Sequence, residues 1–183
     1  QNRFTFLYFP LFHSGLVYLS PELFQKGLLP AVDVGKSVSR VGGAAQLAAY
    51  RAVSGALRLT YSQFEELEAF ARFGTRLDRE TRATIEHGRR VREILKQPQY
   101  QTIPVVEQIA VLMAVTSGLF DRVPISAVGK AEEAVRAAVR EHLTDLDNPI
   151  LSGTNLDDAH QQTIIAVSDT VLEPFREERD ADR

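Results

Sequence analysis

Residues 30–43, Pro-Ala-Val-Asp-Val-Gly-Lys-Ser-Val-Ser-Arg-Val-Gly-Gly, place two cations able to meet a phosphate four positions apart, Lys36 and Arg40. Gly35-Lys36-Ser37 matches the end of a phosphate-binding loop, whose full pattern needs a glycine five residues before the Gly-Lys pair. Pro30 stands there instead. Proline brings no N–H to a phosphate and cannot take up the left-handed backbone that glycine can. Lys36 is therefore read as a solvated loop lysine.

Other chemistry has little support. With no cysteine there is no disulfide, thiolate nucleophile or Cys-ligated zinc. His13, His87, His142 and His160 lack ligand-like spacing, so no metal site is expected. No Gly-x-Ser-x-Gly elbow surrounds Ser14, Ser54 or Ser117. Glu65, Glu66 and Glu68 read as the solvated face of a helix. Between positions 72 and 92 lie Arg72, Arg76, Arg79, Arg82, Arg89, Arg90 and Arg92, against only Asp78, Glu80 and Glu86. These arginines either pair with carboxylates on their own helix or form a surface for an acidic partner or nucleic acid. Missing aromatic interleaving speaks against nucleic acid.

The elements that must position these residues are mainly helical. A length of 183 residues, 44% of them apolar, suffices to bury one ordinary core, and a net charge of −3 gives no general attraction to polyanions. Residues 1–16 form a Phe-rich arm, broken by Pro10 and too short to span a bilayer. Without an initiator Met, the sequence reads as a segment of a longer protein or a processed form. Val17–Leu19 and Pro30–Val34 carry strand signals, with a short helix between them capped by Ser20, begun by Pro21 and closed by Gly27. Helices are expected over about 44–57, 61–73 with Thr60 as N-cap, after Asp78 to near Gln97, after Pro104 to before Gly118, from Pro124 to Leu143, and over 156–172. The helix after Pro104 is apolar nearly all round and belongs at the centre of a bundle. The charged terminal segment is expected to fray.

Four strings carry a resemblance. SVSRVGGAAQ (37–46), ELEAFARFGTRLD (66–78), LKQPQY (95–100) and PVVEQIAVLMA (104–114) are similar to the carboxyl-terminal third of the alpha subunit of rotary ATP synthases, from about Val17 onward. LSPELFQKGLLPAVDVGKSVSRVGG resembles the alternate, N-type bacterial synthases most. The resemblance implies a mainly α fold: residues 17–43 as a short β/α remnant of a RecA-like nucleotide-binding domain and 44–183 as a carboxyl-terminal helical bundle, after an unmatched arm over 1–16. It implies that Arg40 is an arginine finger reaching the γ-phosphate on a neighbouring beta subunit, and that Ser37 is needed for activity. It places Phe24, Pro30, Gln97 and Gln99 around the adenine of a non-catalytic nucleotide, although Leu29 stands where many relatives carry an arginine.

Further expectations follow from the same likeness. The family's phosphate loop and magnesium-handling strand lie upstream of anything present, so no cofactor is expected in this fragment; ATP or ADP with Mg belongs to the full assembly, and the fragment alone should be inactive. Implied partners are the beta subunit, the central gamma shaft, faced by the Phe73 to Asp78 turn, and other subunits of the catalytic head. No nucleic acid is expected, and the implied location is the cytoplasmic face of a bacterial inner membrane, peripherally bound. A free-standing helical module that binds an acidic partner through the Arg-rich surface is the alternative reading.

Overall fold

The computed structural model describes residues 15–71, 77–143, 150, 152–153 and 156–176. The protein divides after Gln46 into two compact units, and each is described by itself.

The first unit is held by backbone pairing between its two ends and by tight turns. Strand β1 (Gly15–Leu16) pairs antiparallel with β2 (Val38–Ser39), Gly15 opposite Ser39 and Leu16 opposite Val38. The expected strands, Val17–Leu19 and Pro30–Val34, contribute only one bridge, Leu19 to Val32. Pro30 has no N–H to give to a ladder, and Asp33 turns the backbone on itself by accepting from the Lys36 and Ser37 amides. The short helix is where the sequence puts it: α1 (Pro21–Gln25) begins on Ser20, whose Oγ accepts from the Leu23 amide, and ends before Gly27 at φ +69°. Leu16, Val17, Leu19, Phe24, Val38 and Val41 are all more than half exposed. A turn of helix, α2 (Gly42–Ala45), follows β2.

The second unit is a helical bundle. Its members are α3 (Ala48–Ala71), α4 (Arg79–Ile94), α5 (Val105–Thr116), α6 (Val128–His142, entered through a 3₁₀ turn at Ile125–Ala127) and α7 (Asp158–Leu172). Helix α5 touches α3, α4, α6 and α7. Val106, Ile109, Ala110, Val111, Met113, Ala114 and Val115 are buried along it, as a central helix requires.

Helix α3 corrects an expectation. Two helices separated by a cap at Thr60 are in fact one helix of 24 residues, with Thr60 in its interior. Ala49, Val53, Tyr61 and Phe64 are buried at helical spacing on both sides of Thr60, so one continuous stripe holds the helix together. Asp78 caps α4 as anticipated, its Oδ1 accepting from the Thr81 amide at 2.7 Å. Asp157 does the same for α7 through the His160 amide at 2.8 Å.

Candidate functional site

The Lys36–Arg40 segment is positioned by a set of hydrogen bonds with Asp33 and Ser37 at its centre. The Ser37 hydroxyl donates to the Asp33 carbonyl at 2.6 Å and accepts from the Tyr18 amide at 3.0 Å. The Asp33 amide donates back to the Tyr18 carbonyl at 2.9 Å. Ser37 therefore stitches the loop to the backbone entering the unit, and its hydroxyl uses its one donor in doing so.

Lys36 is engaged too. Its Nζ lies 2.9 Å from Asp33 Oδ2, and 5.0 Å from the centre of the Tyr18 ring, within reach of a cation–π contact. Burial alone would raise the Asp33 carboxyl, but hydrogen bonds and charge from Lys36 outweigh it and hold the group below the usual carboxylate range. The Asp33 partnership raises Lys36 in turn. This lysine is the solvated loop residue the sequence suggests, its side chain 65% exposed, with Asp33 as its partner.

Arg40 differs. It follows β2 directly, in the bend before α2, where Ser39 Oγ accepts from the Gly42 amide at 2.9 Å. Its side chain is exposed and forms no hydrogen bond or ion pair with the described residues. A guanidinium delivered from a hydrogen-bonded loop and left without a carboxylate has its full set of donors available to an anion.

Of the residues assigned to a nucleotide base, Phe24 lies on α1 and is 67% exposed, and Pro30 is exposed after the Leu29–Pro30 bond. Gln97 and Gln99 lie in the second unit, in the loop between α4 and α5. Gln97 Nε2 donates to the Gln101 carbonyl at 2.6 Å, which closes the loop and leaves the amide oxygen as its open acceptor. Gln99 is exposed.

The arginine-rich run is absorbed by the bundle only in part, through Arg90 and Arg92. Arg92 makes a two-point bond to Glu68 of α3, at 2.8 and 3.0 Å, and stacks over the Phe64 ring at 4.7 Å. Arg90 is buried and donates to the Val123 and Glu86 carbonyls, both at 2.8 Å. Arg89 pairs with Glu86 on its own helix. Glu68 is thus an interhelical partner rather than part of a solvated face. Arg79 and Arg82 are exposed, while Arg72, Arg76 and most of the turn expected to face a shaft lie outside the described residues.

One charged residue has no role in the sequence reading. Glu107 is buried on α5 and receives Arg136 Nε at 2.9 Å and Arg140 Nε at 3.1 Å from α6. The available signal is the i,i+4 spacing of the two arginines, which puts them on one face of α6. Among the described residues, no group of three or more acidic or histidine side chains gathers as a metal site, and no helix is long and apolar enough to cross a membrane.

Comparison with known proteins gives these features a family. Residues 46–171 match the model of the ATP synthase alpha/beta chain, C terminal domain. The protein is 56% identical to ATP synthase subunit alpha 2 of Syntrophus aciditrophicus over 92% of its own length and 33% of that relative. It is 58% identical to subunit alpha 2 of Syntrophotalea carbinolica, over 88% of its length and 31% of the relative. With subunit alpha 1 of Rhodopirellula baltica the identity is 57%, over 79% and 29%. It thus spans about a third of the length of the curated relatives it matches. Family model and relatives agree with the helical bundle, and the protein belongs to the family defined by the carboxyl-terminal domain of ATP synthase alpha and beta subunits, on its alpha-subunit side.

Proposed function

We propose that this protein serves as the carboxyl-terminal part of an alternate, N-type alpha subunit in a bacterial rotary ATP synthase, and that Arg40 completes the catalytic site of the adjacent beta subunit. The observation that supports this most directly is the contrast between Arg40 and Lys36. Lys36 is exposed but paired with Asp33 at 2.9 Å, whereas Arg40, four residues on, is exposed and unpaired among the described residues. Phosphoryl transfer spreads negative charge over equatorial oxygens, and a planar, permanently charged guanidinium can neutralise it with little reorganisation. Ser37 supports the role indirectly by fixing the loop from which Arg40 projects. Phe24 and Pro30 would contribute an apolar face to the base of a second, non-catalytic ATP or ADP, held with Mg in the complete subunit.

In that setting the partners are beta, the gamma shaft and the rest of the catalytic head, at the cytoplasmic face of the inner membrane, with turnover coupled to an ion gradient. The test is a chimaera in which residues 17–183 replace the matching third of the Syntrophus aciditrophicus alpha 2 subunit, co-expressed with that organism's beta and gamma subunits. Arg40→Ala should lower ATP hydrolysis by about 10³ to 10⁵ while the ring still assembles. An assembled ring with undiminished turnover would refute the assignment.

A further inference from the structure

A cleft of about 360 Å³ opens between the loop joining α4 to α5 and the first turns of α6, lined among others by Glu93, Lys96, Ile103, Glu132, Glu133 and Arg136. A smaller recess of about 120 Å³, with Ile94, Val111 and Leu112 in its walls, shares Lys96, Ile103 and Glu132 with it. Glu132 therefore stands where a polar cleft meets an apolar pocket.

The charges along the cleft are matched except one. Glu93 holds Lys96 at 2.7 Å, and Glu133 holds Arg136 at 3.0 Å. Arg136 is the i,i+4 neighbour of Glu132 and the natural partner for it. It is drawn away, with Nε on Glu107 at 2.9 Å and Nη1 on Glu133. Glu132 is left half-buried, with no hydrogen bond or ion pair to any described residue. Burial, helped by the neighbouring Glu133 charge, pushes its carboxyl up more than the Arg136 charge pulls it down, as expected for a desolvated acid with no cation in direct contact.

We infer that this cleft is a binding site for one alkyl cation, the side chain of a lysine or arginine presented by a partner protein. A cationic head would supply the charge that Glu132 lacks, and its methylene stem would lie along Ile103 and the apolar recess, as long basic side chains do. The mode of presentation follows from the same pairing of charges. A free basic amino acid would bring a carboxylate for which Lys96 and Arg136 have no spare pairing. A free diamine would bring a second ammonium, and Glu93 and Glu133 are already occupied. A basic residue held on a neutral backbone raises neither conflict.

The experiment is an NMR titration of the isotope-labelled protein with Nα-acetyl-arginine methylamide, its norleucine counterpart and free putrescine. Saturable shifts at residues 96–103 and 129–133, with the arginine compound bound about tenfold or more tightly than norleucine, are expected for a charge-assisted contact. Glu132→Gln should abolish that preference. Glu141→Gln, the same charge change on the same helix outside the cleft, should keep it. Glu132→Gln removes an unpaired carboxylate and should melt no lower than the parent, so lost binding will not reflect lost folding. The assignment is overturned if norleucine binds as well as arginine, if Glu132→Gln binds arginine unchanged, or if putrescine binds more tightly than the blocked arginine.

Discussion

Gly88 of α4 lies against Phe64 of α3 so closely that a Cβ built on the glycine would fall 2.2 Å from Cγ of the ring. Both residues are buried, Phe64 completely. The contact fixes how near α3 and α4 approach, and with it the position of Arg92, which covers the same ring while gripping Glu68. Gly88→Ala should therefore destabilise the bundle by about 1–3 kcal/mol or more, since interiors do not yield to an added methyl without displacing a side chain. Denaturant unfolding measures it. Pairing it with Phe64→Leu should recover little of the loss, because leucine keeps the Cβ and Cγ positions that obstruct the added methyl.

Thr60 separates one helix from two. At an N-cap, its replacement by alanine would cost roughly 1 kcal/mol. Inside α3, where the structure places it, Thr60→Ala should instead be neutral or stabilising by a few tenths of a kcal/mol, because threonine is the poorer interior residue. The same unfolding measurement gives the sign.

Glu107 joins α5 to α6 through two arginines, Arg136 at 20% side-chain exposure and Arg140 at 58%. Because the arginines can turn toward Glu133 and water, Glu107→Ala should cost about 1–3 kcal/mol, less than breaking a fully buried pair. Glu107→Leu should cost less than Glu107→Ala, since it refills the volume with apolar atoms.

The Asp33 loop should loosen in acid. Its carboxyl is held below its ordinary value because Lys36 overcomes the effect of burial, so the folded loop favours the ionised form. That contribution is complete above the unfolded carboxylate value and is lost as pH falls through the lower folded one. Asp78 follows the same rule through the Thr81 amide, and Asp157 through the His160 amide. The protection of the Lys36 amide, measured against the intrinsic exchange rate at each pH, should fall on acidification, and Asp33→Asn should flatten that response.

What is legible in the sequence is local. Ser20 and Asp78 announce their helices because a cap is satisfied within three residues, and Pro104 and Gly118 bracket α5 for the same kind of reason. The strand pair is harder to place because a ladder is chosen between segments distant in sequence, and the Asp33 turn removes Pro30–Val34 from it. Thr60 misleads because a good capping residue masks the buried stripe that runs past it. For the candidate site, the residue types around Arg40 supply the position but do not say whether its charge is free. That depends on Asp33 choosing Lys36, a preference expressed only once the loop has closed. Glu107 escapes a sequence reading because its partners lie about thirty residues downstream.

The central placement of α5 has a consequence for how the bundle comes apart. A rod leaned on by four neighbours cannot lose one of them without wetting its own flank, so partial detachment is penalised at every side. The amides of Ile109 to Val115 should consequently exchange with solvent only when the whole bundle opens, and their rate reports its global equilibrium.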